Sequence, residues 1–256
     1  MSSQDLDEAV SAELSPPTPN GYWGESSRPL TSLAFIAPLL ALYEGGVLAL
    51  GPSAVRNGAD VWLRRFLDLL GLQQYFLLPV LTIGLLLVWH HLRREPWRVS
   101  PNVVYGMYLE SFALAFALVG IAHLQGSLLH GLAAAWPSPL SLSESPMAQF
   151  VVRLVGFFGA GIYEEVLFRL ALLPVVQRLL AYAGANSARA ALGAIVLTSL
   201  LFSTAHYVGA YGEAFAWYSF LFRFLAGGFF AVLFVYRGFG IAAGAHALYD
   251  ILVGMF

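Results

Sequence analysis

The chain has 256 residues, of which 59% are hydrophobic, 14% aromatic and only 11% charged, with a mean hydropathy of +0.71. A soluble domain carries about 25% charged residues, so this composition excludes a soluble globular enzyme and indicates a polytopic membrane protein. The net charge of −2 offers no basic field for nucleic acid, and the absence of cysteine and lysine removes disulfides, thiolate sites, cysteine nucleophiles and Schiff-base chemistry.

Residues 1–29 differ from the rest. Asp5, Asp7, Glu8, Glu13 and Glu25 are acidic, Pro16, Pro17 and Pro19 interrupt regular structure, and Arg28 is the only base. This composition predicts a disordered acidic tail and does not have the pattern of a signal peptide. Beyond it, apolar runs occur near 31–51, 75–92, 104–124, 148–168 (continuing to about 182), 190–208, 214–236 and 239–256. Each approaches the roughly 20 residues that cross a bilayer as a helix. They lack the strict alternation of barrel strands. The expected fold is therefore all-α, a transmembrane helix bundle of about seven spans. N-terminal spans occupy 30–147 and a second group of helices 148–256.

Between the first two runs, the segment 61–70 has Arg64, Arg65 and Asp68 on one helical side and aliphatic and aromatic residues on the other. That pattern predicts one interfacial helix in the headgroup plane; the alternative is an extension of a spanning helix. The loop 90–98 is the most basic, and 124–147 contains no arginine, which places the N-terminus inside and the C-terminus outside. Trp62, Trp97, Trp136 and Trp217 read as interfacial belt residues. Gly156, Gly159, Gly161, Gly227, Gly228, Gly240 and Gly244 are small positions of the kind that let helices approach closely in lipid.

Ionisable groups within apolar spans are costly, about 2.5–3.5 kcal/mol each on insertion scales, and so call for partners or a wet cavity. Three clusters stand out. In Tyr163-Glu164-Glu165-Val166-Leu167-Phe168-Arg169, the two carboxylates diverge by about 100° around a helix. Glu165 and Arg169, four apart with the acid first, suit an ion pair. Glu164 has no local partner, which makes it a candidate to take a proton from water. In Phe202-Ser203-Thr204-Ala205-His206 a histidine sits deep in an apolar run; alone, such a residue is more often a satisfied core or interface residue than a functional one. In His246-Ala247-Leu248-Tyr249-Asp250 an imidazole and a carboxylate share one face: Asp250 orients the imidazole, the two form a self-neutralising pair, or both aim at one reacting centre or metal. His123, His130, Glu44, Arg153 and Arg223 read as interfacial, terminal or paired groups. A carboxylate with two histidines suits either a water-activating hydrolase or a metal site. There is no HExxH, no GxSxG and no second aspartate motif for a carboxylate dyad.

The ordered set Glu164-Glu165-x-x-x-Arg169, Phe202-x-x-x-His206 and His246-x-x-x-Asp250 resembles the type II CAAX prenyl proteases, also called CPBP or Abi intramembrane proteases, over roughly residues 148–256. The resemblance implies a membrane-embedded endopeptidase. Its substrate would be a membrane-associated peptide or protein, its surroundings the lipid bilayer, and its expected location the cell (inner) membrane. It implies that Glu164 and His206 position and deprotonate water, that His246 and residue 250 stabilise the oxyanion or complete the site, and that Glu165 and Arg169 support them. The family pattern commonly ends in Asn where this chain has Asp250. A neutral Asn can donate to an oxyanion and an ionised Asp cannot, which favours a site where His206, His246 and a carboxylate hold Zn²⁺ as the expected cofactor. Two other classes remain open from sequence: a proton-coupled transporter, for which no internal inverted repeat is visible, and a catalytically silent membrane scaffold.

Overall fold

The computed structural model describes residues 21–51, 54, 56–129, 146–209 and 212–255. Among them every regular element is helical. They are α1 (Tyr22–Ser26), α2 (Pro29–Leu50), α3 (Gly58–Leu69), α4 (Leu77–Leu92), α5 (Pro101–Leu128), α6 (Pro146–Gly159), α7 (Leu173–Tyr182), α8 (Ser187–Ala205), α9 (Trp217–Arg237) and α10 (Phe239–Met255). Between α6 and α7 the chain runs through two π-helical stretches, Ala160–Glu164 and Val166–Leu172. Among the described residues four helices are long and apolar enough to cross a membrane: α2, α5, α8 and α9. The apolar helices Leu77–Leu92 and Phe239–Gly254 are shorter. All seven expected apolar runs are thus helical, and the fourth is wound more widely where its charges sit.

The centre of the bundle is α10. Phe239, Ile241, Ala242, Ala243 and Ala245 are fully buried, and α5, α9, α2, α6 and the first π-helical stretch all pack on it. Its alanines and glycines present almost no side-chain bulk, so neighbouring backbones come close. Leu42, Val80, Leu85, Phe112, Phe116, Leu192 and Val196 face outward, as expected of helices whose outer surface meets acyl chains. The two sequence regions, 30–147 and 148–256, share this core rather than forming separate ones: α2 packs against both α6 and α10.

Two expectations change. The tail expected over 1–29 is folded from residue 21 onward, while residues 1–20, His130 and Trp136 lie outside the described residues. Tyr22 Oη donates to Glu110 Oε2 at 2.5 Å. Arg237 donates to both Glu110 oxygens, at 2.6 and 2.7 Å, and to Ser26 Oγ at 2.9 Å, with its guanidinium 4.0 Å over the Trp23 ring. Burial, with the Glu110 carboxylate against its hydroxyl, pushes the Tyr22 phenol above its ordinary range, which keeps it a donor. An arginine more than two hundred residues away thus holds this stretch, through Ser26 and Trp23, while its charge is paired with Glu110.

The second change concerns α3. It is a separate helix, as expected of an interfacial one, but its polar side is divided. Arg65 and Asp68 are exposed together with Phe66 and Leu69. Arg64 turns inward, Nε 2.7 Å from Asp60 Oδ1 and Nη2 3.2 Å from Glu44 Oε1. Asp60 is fully buried and also accepts from Tyr43 at 2.8 Å and Arg56 at 2.6 Å. Glu44 accepts from Tyr163 at 2.6 Å. Two acids and two arginines therefore fasten α3 to α2 and to the residue preceding Glu164.

The approach of the π-helical stretch to α10 depends on Gly161. A Cβ there would lie 2.7 Å from Ala247 Cβ and 2.8 Å from the backbone oxygen of Ala243 and the backbone nitrogen of Ala247. Backbone atoms cannot give way, so Gly161→Ala is expected to destabilise by about 1–3 kcal/mol through overpacking. Gly84, with open space around it, is the control. Thermal unfolding in detergent should show a lowered midpoint for Gly161→Ala and none for Gly84→Ala.

Candidate functional site

The three polar clusters converge. Glu164 lies in the π-helical stretch, His206 caps the C-terminus of α8, and His246 and Asp250 sit one turn apart on α10. The Glu164 Oε2 atom is 3.9 Å from His206 Nε2 and 3.8 Å from His246 Nε2. His246 Nε2 is 3.6 Å from Asp250 Oδ2. These separations exceed a direct hydrogen bond and suit groups that share one small molecule between them.

Both imidazoles have fixed orientations. The His206 Nδ1 atom is 2.9 Å from the Phe202 carbonyl oxygen. A carbonyl only accepts, so Nδ1 carries the hydrogen and Nε2 faces Glu164. His246 Nδ1 is 2.8 Å from Glu165 Oε1, with the same consequence. The sequence left Asp250 as a possible orienter of His246; the observed orienter is Glu165, and Asp250 faces the other nitrogen. Phe230 stacks on the His246 ring at 4.4 Å and 13°, and Phe202 lies edge-on to both imidazoles at 5.1 and 5.9 Å.

Behind His246, Glu165 and Arg169 form the pair read from their four-residue spacing, Nε to Oε2 at 3.2 Å, with both side chains essentially inaccessible. Arg169 also donates to the Gly227 carbonyl at 3.0 Å and lies 4.5 Å over the Phe202 ring. The guanidinium thereby holds Glu165 and the aromatic that borders both histidines.

Glu164 has a partner that no local pattern announces. Asn57 Nδ2 donates to Glu164 Oε1 at 2.7 Å. The same side chain caps α3, its Oδ1 accepting from Ala59 N–H at 2.8 Å. The capping bond fixes which end of the amide is oxygen, so the nitrogen must face the carboxylate. Asn57-Gly58 ahead of an amphipathic helix is a visible capping signal; its reach across 107 residues to Glu164 is not. Among the described residues Glu164 Oε2 has no hydrogen-bond partner. One carboxylate oxygen is thus held and the other is turned to the imidazoles.

A cavity of about 730 Å³ opens on these groups, bordered by Glu164, His206, His246 and Asp250 and by apolar side chains of α6, α9 and α10. A second of about 610 Å³, lined by Arg56, Trp62, Arg65 and Glu213, reaches Glu164 and His206 from the α3 side. The other sequence candidates fall elsewhere: Glu44 belongs to the α3 network, His123 is exposed, Arg153 reaches the Gly254 carbonyl at 3.5 Å, and Arg223 pairs with Glu213 at 2.6 Å. The residue types around Glu164 suit zinc, but among the described residues no group of three or more His, Asp or Glu is arranged to hold a metal ion.

The fold and site define a multi-pass helical membrane protein with a buried carboxylate–imidazole centre. Residues 146–252 match the family model described as type II CAAX prenyl endopeptidase Rce1-like. The match covers less than half of the chain but takes in every motif-bearing segment, so this part of the chain is similar to that family. No curated protein and no solved structure matches the chain.

Removing one member of a buried ion pair leaves the other uncompensated, at about 3–5 kcal/mol. Glu165→Gln is therefore expected to lower stability sharply. Glu165→Gln combined with Arg169→Met should recover part of the loss. Denaturant-free thermal scans in detergent check both; equal midpoints for the single and double variants would contradict the pairing.

Proposed function

We propose that this protein is an intramembrane endopeptidase of the CAAX type, which hydrolyses a peptide bond of a membrane-associated protein or peptide. The observation that carries the reading is the single free oxygen of Glu164 facing two oriented imidazoles at 3.8 and 3.9 Å. The family match over residues 146–252 supports the same chemistry.

In this reading a water molecule occupies the space between Glu164 Oε2 and the two Nε2 atoms, each within reach of one hydrogen bond to it. Glu164 accepts a proton from that water as the oxygen attacks the scissile carbonyl carbon. His206 holds the attacking oxygen in line. The carbonyl oxygen becomes an oxyanion, stabilised by the Nε2–H of His246 in its doubly protonated form, whose Nδ1–H stays on Glu165. Glu164 then returns the proton to the departing amine, so protons balance over the cycle. Glu165 and Arg169 do not touch the substrate; they keep His246 turned to the centre. Asn57 holds the other Glu164 oxygen, so the working one stays in place. Asp250 lies 3.6 Å from His246 Nε2 and sets the charge around the imidazole from the cavity side. The apolar cavity receives side chains of the substrate.

General-base catalysis typically contributes about 10²–10⁴-fold. Glu164→Gln, nearly isosteric, is expected to lower the cleavage rate of purified protein by at least that lower bound, with membrane insertion and abundance unchanged. Cleavage at the wild-type rate would remove Glu164 from the mechanism. Because the steps run on side chains alone, chelation followed by elemental analysis should leave the rate unchanged; a loss restored by zinc would return His206 and His246 to the ligand role considered from sequence.

A further inference from the structure

The two ends of the bundle differ in charge, and the catalytic centre lies at only one of them. At the first end, Glu25 Oε1 accepts from the Ser100 N–H at 2.6 Å, Arg28 pairs with Glu95 at 3.2 Å, and Arg237 donates to Ser26 Oγ at 2.9 Å. The end of α4, the start of α5 and the end of α9 therefore gather around α1. Helices α8 and α9 run antiparallel. Ser203 Oγ donates to the Phe220 carbonyl at 2.7 Å, and a Cβ on Gly227 would lie 3.1 Å from Ser199 Cα. Ser187 thus lies at the Arg237 end, together with the turn from α7, where Leu180 lies against Gly193.

The second end holds the site. Gln125 Nε2 donates to the Tyr218 carbonyl at 2.8 Å, which joins the end of α5 to the start of α9. Arg153 reaches the Gly254 carbonyl, which sets α6 beside the end of α10. Asn57 ties the start of α3 to Glu164. His206 caps α8 here, and α8 is long and apolar enough to cross a membrane, so the imidazole sits toward this face. Both cavities are lined from the same end, one by Trp62, Arg65 and Val208, the other by Gln149, Arg153 and Gly254.

The chain has no lysine, so arginine carries its basic charge. At the first end Arg93, Arg94, Arg98, Arg178 and Arg189 are exposed. Arg28 and Arg237, paired with Glu95 and Glu110, add to them. At the second end only Arg65 is exposed among the described residues. Arg56 and Arg64 share Asp60, Arg223 pairs with Glu213, and Arg153 turns to a backbone carbonyl. Basic residues flanking spans stay on the cytoplasmic side, where exposed guanidinium groups also meet the anionic leaflet. The first end is therefore the cytoplasmic one.

We infer that the catalytic centre opens toward the outer, non-cytoplasmic face of the membrane, and that its substrate is a translocated polypeptide presented on that face by an apolar membrane segment. The apolar wall of Phe157, Phe222, Ala226 and Val253 suits such a segment. This inference rests on the proteolytic reading and adds a side of the membrane to it.

The absence of cysteine makes the test direct, because an introduced thiol is the only one in the chain. Asp68→Cys and Val208→Cys place it at the second end, Tyr182→Cys and Ser187→Cys at the first; all four positions are exposed. Each variant is treated with a membrane-impermeant maleimide, in spheroplasts of the expressing bacterial cells and in inverted vesicles. The first two should label in spheroplasts and lose labelling in inverted vesicles, and the other two should do the opposite. Replacing Arg93, Arg94 and Arg98 together by glutamate should remove that contrast. The reverse pattern, or labelling of one position from both sides in the unaltered arginine background, overturns the inference. An impermeant quenched-fluorescent peptide library, added to the same two preparations with Glu164→Gln as control, tests the site itself. Glu164-dependent cleavage in spheroplasts supports the assignment, and cleavage confined to inverted vesicles overturns it. Labelling as expected with no Glu164-dependent cleavage from either side supports the orientation and counts against the proteolytic reading.

Discussion

The structure depends on keeping charge in an apolar bundle without leaving it uncompensated. Glu165 is the element through which this is done. One of its oxygens holds His246 at 2.8 Å and the other faces Arg169 at 3.2 Å. A buried carboxylate of this kind is tolerated only when opposite charge and hydrogen-bond donors surround it. Arg169 supplies the charge and reaches on to a backbone carbonyl and the Phe202 ring. Rigidity follows: the orientation of His246 is set by a pair that would be expensive to break, and the reacting face of the imidazole is left open.

The same requirement explains the local winding of the chain. In an ordinary helix Glu164 and Glu165 would diverge by about 100°, and both still have to be satisfied. The wider π-helical turns occur over the segment that carries them, where such departures often accompany function. Glu165 faces Arg169 and His246, while Glu164 faces Asn57 and the cavity. Gly161 allows this segment to lie against the Ala243–Ala247 stretch of α10. On the opposite side, the Asp60 and Glu44 network holds α3, and with it Asn57, against Glu164. Packing between three distant parts of the chain thus resolves into the position of one carboxylate.

How much of this can be read from sequence follows the distance between partners. The ion pair of Glu165 with Arg169 and the shared face of His246 and Asp250 lie one helical turn apart, and spacing alone suggested both. The apolar runs gave helices because every buried backbone group in lipid must bond within its own segment. The meeting of three motifs rests on the cost of ionisable groups in apolar spans, which calls for mutual partners, and on their resemblance to a protease family, since no spacing rule carries an inference from residue 164 to 206 or 246. Asn57 was missed because a capping residue is locally complete without a second partner. The folded stretch 21–29 was missed because its stabilising groups, Glu110 and Arg237, lie on other helices. For α3, periodicity correctly marked a helix, yet the inward turn of Arg64 depends on Glu44, a residue of another helix.

The central claim is that Glu164 and the two imidazoles act on one shared water. Groups that serve a single step lose their effects together rather than multiplicatively. The most direct measurement is a double-mutant cycle on kcat/KM with Glu164→Gln, His206→Gln and the two combined. A double variant no worse than the more damaging single one is the predicted result. Losses that multiply would mean the two side chains act independently, and would contradict the account.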